Sequence, residues 1–251
     1  MSSMMVADSN GAEYLLLRMP LAPHEWENRI VEADRRGTDV VQRAWNSETG
    51  VVRSHDVQLE YGRRTRIWYE KALLTTKDEP VFWTKPVIFF VTKDPGITAS
   101  THLQTDDTPP RTIVVAFDLL LLDISKFTVN ANVSRRGKVF VFAESDQPGQ
   151  FQVVGLPQHE RFATDEDIKN TLAPGANQSM KADSDAQLPS PDELEIPSVT
   201  AVMNAWLDGG RPVRPLQFNS AGEQWWGGFR PFPLGDNTFW IAVIVPEDDL
   251  S

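Results

Sequence analysis

Arg66 stands among Tyr61, Trp68 and Tyr69, so a permanent cation and three aromatic side chains fall within nine positions of the 251-residue chain. A guanidinium is a rigid planar fork of donors that keeps its charge, which suits two-point capture of a carboxylate or phosphate better than a lysine would. The phenol hydroxyls and the indole N–H add polar tips to apolar walls. The chemistry open to this set is a small cage for the anionic end of a ligand. The helix-forming run Glu70–Leu74 follows at once. It puts Trp68 and Tyr69 in a first helical turn, where unpaired amides and the positive dipole end also favour an anion. The same residue types also suit a packed aromatic face with Arg66 paired to an internal carboxylate, and residue type alone leaves both readings open.

Around this stretch the chain reads as strands joined by Gly- and Pro-containing turns. After a polar start, Ala12–Met19 is a short strand ended by Pro20 and Pro23, and Trp26–Ala33, Thr38–Trp45 and Val51 onward form an antiparallel meander. Behind the aromatic cluster come the β-branched and aromatic run Val81–Val91, then Ile97–Leu103 and Arg111–Asp118. Leu119–Phe127 is amphipathic and reads as a connecting helix at a module boundary. A second set of strands begins with Lys138–Ala143. Thr164 caps a helix with an acidic first turn, stopped by Pro174-Gly175. Residues 176–196 read as a long surface loop. Beyond them Val199, Val202, Met203 and Trp206 keep one helical face up to Gly209-Gly210, Trp225–Phe229 reads as a packed turn opened by two glycines, and Thr238–Val245 is a closing strand. The fold class is α/β in the α+β sense: two modules, each a mainly antiparallel sheet with flanking helices.

Composition narrows the functions. A formal charge of −11 argues against a nucleic-acid partner, because phosphate backbones need a basic face. The absence of cysteine removes disulfides, thiolate nucleophiles and cysteine zinc sites, and the four histidines, His24, His55, His102 and His159, show no metal-ligand spacing. No apolar segment approaches the ~18 residues needed to span a bilayer, and the N-terminus lacks the regions of a signal peptide. No nucleophile elbow, Walker loop, HExxH, GxGxxG or histidine–carboxylate cluster occurs, so no catalytic residue, metal ligand or cofactor site is assigned. The acidic groups Asp165-Glu166-Asp167 and Glu247-Asp248-Asp249 read as helix-cap and strand-end acids rather than as calcium ligands or an acid–base pair.

The segment Tyr61–Tyr69 resembles the YxxxxRxWY segment of double Cache sensor domains, the PAS-like extracytoplasmic ligand-binding regions of bacterial chemoreceptors, sensor kinases and cyclases. Further stretches are similar in the same order: Phe82-Trp83-Thr84, Pro95–Ser100, Val114–Asp118 with Leu122–Ser125, Gly137–Phe140, and Pro231–Gly235 with Val245–Asp249. The likeness covers nearly the whole chain. It implies a membrane-distal, ligand-holding module over residues 1–126 and a membrane-proximal module over 127–251, in a receptor attached to the membrane by helices this chain does not include. A homodimer in the full receptor belongs to the same expectation. In the amino-acid-binding branch, the matching Tyr61, Arg66 and Trp68 take the ligand carboxylate, and Tyr69 and Asp118 hold the amino group. A zwitterion needs a cation at one end and a carboxylate at the other, which agrees with that division. Asp118 also reads as a solvated strand end.

The likeness has departures. Val87 and Phe89 stand where the family often carries a tyrosine and an aspartate for the ammonium group, so Asp118 is left as the evident carboxylate and the pocket becomes more apolar. That favours an apolar amino acid or a simple carboxylate over a polyamine. The family's long first helix is missing before the first strand. Two other readings stand beside the sensor: a ligand-free structural module in which Tyr61, Arg66 and Trp68 are merely packed, and an interaction module with Trp225 and Trp226 at a partner surface.

Overall fold

In the computed structural model, residues 3–18, 25–31, 39–46, 49–58, 66–145, 147–174 and 184–250 are described. The chain divides into two compact units: Met1–Lys85 with Ile97–Leu120, and Pro86–Gly96 with Leu121–Ser251.

The first unit is built on β1 (Ser3–Asp8), β2 (Glu13–Arg18), β3 (Glu25–Val31), β4 (Asp39–Asn46), β5 (Gly50–Gln58), β6 (Phe82–Trp83), β8 (Pro95–Gln104) and β9 (Thr112–Leu120), hydrogen-bonded in the order β5-β4-β3-β2-β1-β9-β8-β6. One short helix, α1 (Ile67–Ala72), packs on β6 and β9. The polar start of the chain hides a strand. SMMVAD alternates buried and half-buried positions, and β1 pairs antiparallel with β2 on one side and β9 on the other. Ser3 and Asp8 at its ends mask a period-2 pattern only six residues long. Met5 and Ala7 of β1, Leu15 and Leu17 of β2, Val114 and Ala116 of β9 and Trp68, Tyr69 and Ala72 of α1 form one core. Glu13 and Arg29 are buried beside it as an ion pair at 2.6 Å.

The second unit is built on β10 (Lys138–Glu144), β11 (Phe151–Gly155), β12 (Leu216–Ser220), β13 (Glu223–Leu234) and β14 (Asn237–Pro246), an antiparallel sheet of order β11-β10-β14-β13-β12. Helices α2 (Leu121–Val129), α3 (Asp165–Leu172) and α4 (Pro197–Asp208) complete it. Thr164 and Asp167 form a capping box at the start of α3, as the sequence signature requires. Val199, Val202, Met203 and Trp206 form the buried face of α4. Trp206 is fully enclosed, stacked on Phe229 with ring centres 4.7 Å apart and edge-on to Phe142, Phe151 and Trp240.

Three expectations are corrected. Trp225–Phe229 is not a turn but the heart of β13. Gly227 is required there by packing, since a Cβ would come within 2.6 Å of Val202 Cγ2 on α4. Trp225 is buried, which removes it as an exposed partner surface. Val81–Val91 is not one strand: Pro86, which has no N–H to give, separates β6 from β7 (Val87–Ile88), and the two fall in different units. The described part of the 176–196 segment is not a surface loop either. Ala186, Leu188, Leu194 and Ile196 are buried, and Pro86 C=O and Pro189 C=O accept from Ala186 N–H and Val153 N–H.

Candidate functional site

The residues with the strongest chemistry gather in the first unit around α1 and β8. Arg66 occupies the N-cap position of α1 in extended backbone, only 9% exposed, and its carbonyl accepts from the amides of Tyr69 and Glu70 at 3.0 Å each. Trp68 and Tyr69 lie in the first turn, both buried, with rings edge to face at 5.8 Å and 85°. The Tyr69 hydroxyl donates to Asp8 C=O at 3.4 Å. A six-residue helix is too short to hold itself, so its position comes from these anchors.

The anchoring strand is β8. Thr98, Ser100 and His102 are alternate residues, so they share one face of it. Ser100 donates to the carbonyl of Trp68 at 2.8 Å. His102 Nδ1 meets the carbonyl of Ala72 at 2.7 Å and the hydroxyl of Thr75 at 2.9 Å. Thr98, one alternation away, donates to Asp118 Oδ1 at 2.6 Å. Ser3, opposite Asp118 in the β1–β9 register, donates to the other carboxylate oxygen. Asp118 is therefore a half-buried carboxylate oriented by hydroxyls rather than a solvated strand end.

The spacing matters chemically. Thr98 and Ser100 are two residues apart, about 6.6 Å along a strand. One holds Asp118 and the other holds the backbone of Trp68. The acid and the aromatic start of α1 are thus fixed to neighbouring points on one strand face. Both hydroxyl residues are buried. The sequence carried a signal for them in the polar alternation Thr98-x-Ser100-x-His102 within a strand whose inner face would ordinarily be apolar.

The structure brings Arg66, Trp68, Tyr69 and Asp118 into the first unit. Val87 and Phe89 belong to the second, where both are buried. Val87 pairs with Gly96, and Ile88 N–H donates to Ser184 C=O at 3.0 Å. Tyr61 lies outside the described residues, as do residues 62–65. Among the described residues no three His, Asp or Glu side chains converge as a metal-binding group, and no helix is long and apolar enough to cross a membrane.

Neither a protein-family model nor a curated protein sequence matches the chain. Solved structures do. The ligand-binding domain of the Campylobacter jejuni chemoreceptor Tlp3, in complex with L-valine, superposes with a TM-score of 0.51 at 12% identity, over 99% of this chain and 68% of that one. The chain has the fold of a chemoreceptor ligand-binding domain. This is the fold class that the double Cache likeness of the sequence implies, two PAS-like modules with antiparallel sheets. Two further structures are similar at lower scores. The ligand-binding domain of Pseudomonas fluorescens chemoreceptor CtaA with L-serine has a TM-score of 0.44 at 13% identity, over 98% of this chain and 73% of that one. That of the Pseudomonas aeruginosa PAO1 amino-acid chemoreceptor PctB with L-Arg has 0.45 at 14%, over 99% and 72%.

Proposed function

We propose that this chain is the extracytoplasmic sensor domain of a bacterial transmembrane receptor and that its first module, within residues 1–126, binds a small carboxylate-bearing ligand, an α-amino acid with an apolar side chain. Arg66, Tyr61 and Trp68 take the carboxylate, and Asp118 and Tyr69 take the ammonium group. The second module, within residues 127–251, passes the change in population on towards the membrane. The observation that carries this reading is the β8 face on which Thr98 holds Asp118 while Ser100 holds Trp68. A built-in acid near the turn that bears a guanidinium and an indole offers the two opposite charges a zwitterion needs. The shared fold supports the same reading, since Tlp3 carries L-valine on it.

No part of this role requires catalysis by the chain itself. A ligand acts by binding one conformation better than another, and its differential affinity sets the size of the response. A melting screen of amino acids and short carboxylates tests the proposal. A true ligand at 100 times its dissociation constant stabilises the protein by about 2.7 kcal/mol. Arg66→Ala is expected to abolish that increment while leaving the near-ultraviolet circular dichroism of the fold in place. A flat screen, or an increment that survives unchanged in the variant, contradicts the assignment and favours a ligand-free module.

A further inference from the structure

The second unit holds a cavity of about 820 Å³ whose lining includes none of the residues proposed above for amino-acid binding. Its polar wall carries two donors that no carboxylate among the described residues answers, from Trp225 and Lys138. Trp225 is 7% exposed, and its indole Nε1–H is buried without an acceptor. Buried donors are almost always paired, so an orphan one on a residue that lines a cavity invites an acceptor from outside the chain. Lys138 lines the same cavity. Its ammonium gives one hydrogen bond, to Gln158 C=O at 2.9 Å, and pairs with no carboxylate among the described residues. Burial holds its pKa below the ordinary lysine value, as desolvation without a counter-ion does.

The register puts these two donors on one side of the sheet. Lys138 on β10 is opposite Ile244 on β14, which is opposite Gly227 on β13, and Trp225 lies two residues from Gly227. Gly227 faces Val202 of α4, so the shared face is the one that α4 covers. His159 adds a third donor. Its Nδ1 accepts from Arg161 N–H, which leaves the proton of the neutral ring on Nε2. Burial, helped by the charges of Arg161 and Lys138, lowers its pKa and keeps the ring neutral at pH 7. Helix α4 also opens here. Ile196 gives its N-terminus no side-chain cap, its first turn holds no acid, and the amide of Ser198 has no carbonyl a turn earlier to receive it.

The acids on the wall do not answer these donors. Asp165 is paired with Lys126 and Glu223 with Arg136, while Glu160 is exposed to solvent. The apolar part of the wall includes Phe162, Ile168 and Ile196, which are buried. The other cations on the wall, Lys126, Arg135 and Arg136, are paired with carboxylates, so the one ammonium left, that of Lys138, suits one negative charge on a hydrocarbon body better than a multiply charged phosphate.

We propose that this cavity is a second small-molecule site, independent of the first, that takes an organic monocarboxylate: the carboxylate accepts from the Trp225 indole and Lys138, and the body lies against Phe162, Ile168 and Ile196. A ligand here would bear on the module next to the membrane directly. Sodium benzoate is the probe, with inorganic phosphate as the control, titrated into the full chain and followed by calorimetry and by the indole N–H resonances in ¹⁵N–¹H spectra. The Trp225 cross-peak is identified as the one missing from Trp225→Phe. It is expected to move saturably with benzoate and not with phosphate, and to do so equally in Arg66→Ala. Trp225→Phe keeps an aromatic ring and Lys138→Met keeps the stem, and each is expected to weaken benzoate binding, followed by calorimetry, about tenfold. A Trp225 peak that benzoate does not move overturns the proposal, as does one that phosphate moves equally, or binding undiminished in both variants. If a variant does not fold, the wild-type peak decides alone. Failure here leaves the amino-acid reading of the first unit untouched, because that reading rests on Arg66 and Asp118.

Discussion

Asp249 and Asp118 show how far neighbours decide what a carboxylate does. Asp249, with its side chain only 2% exposed, sits after β14 and ties the chain end to the loop before β10. Burial alone would raise its pKa, but the Arg136 amide and the Ser134 hydroxyl donate to it at 2.7 and 2.9 Å, and the charges of Arg136 and Arg135 add to them. The net result is a pKa below the ordinary 3.8. A depressed native pKa contributes stability that is present above the unfolded value and is lost as pH falls through the folded one. The melting temperature of the wild type is therefore expected to fall more steeply below about pH 4 than that of Asp249→Asn, and parallel acid limbs would contradict this. Asp118 accepts from the hydroxyls of Ser3 and Thr98, which orient its carboxylate. The sequence named Asp118 but not Ser3 or Thr98, because the two hydroxyls come from strands far along the chain and only pairing brings them near.

At the scale of elements, the contact of α4 with β13 is the tightest test of the packing. Gly227→Ala is expected to cost about 1–3 kcal/mol, measured by urea unfolding, because the new methyl runs into Val202 in a closed core. Gly228→Ala, where a Cβ meets nothing within 4 Å, is expected to cost less. Equal effects would mean that the helix does not rest on Gly227. The contrast also explains what the sequence made legible. The face of α4 and the capping box of α3 depend on residues within a turn or two, and both could be read directly. The double glycine was misread because a turn and a crowded strand both ask for glycine, and only the partner helix tells them apart. Strand β1 escaped for a related reason: six residues between polar ends carry too little alternation, although they sit at the centre of their sheet.

For the whole molecule, two compact units each close a core around an antiparallel sheet, and the chain changes unit at Leu120/Leu121 with residues 86–96 lodged in the second. The architecture was legible because a long series of short strands broken by Gly and Pro, interrupted by a few amphipathic segments, leaves few alternatives. The candidate site was legible only in part. Arg66, Trp68 and Tyr69 are neighbours in sequence, whereas Asp118 is tied to the same strand face through β8, and Lys138 and Trp225 come to one face of their sheet through register alone. The central claim, capture of a zwitterion by opposite charges in the first unit, is tested most directly by calorimetric titration with the amino acid that gives the largest melting shift and with its deamino analogue, for wild type and Asp118→Asn. The wild type is expected to bind the amino acid at least about tenfold more tightly than the analogue, and Asp118→Asn to lose that preference while still binding the carboxylate. Equal affinity of wild type and Asp118→Asn for the amino acid would contradict it.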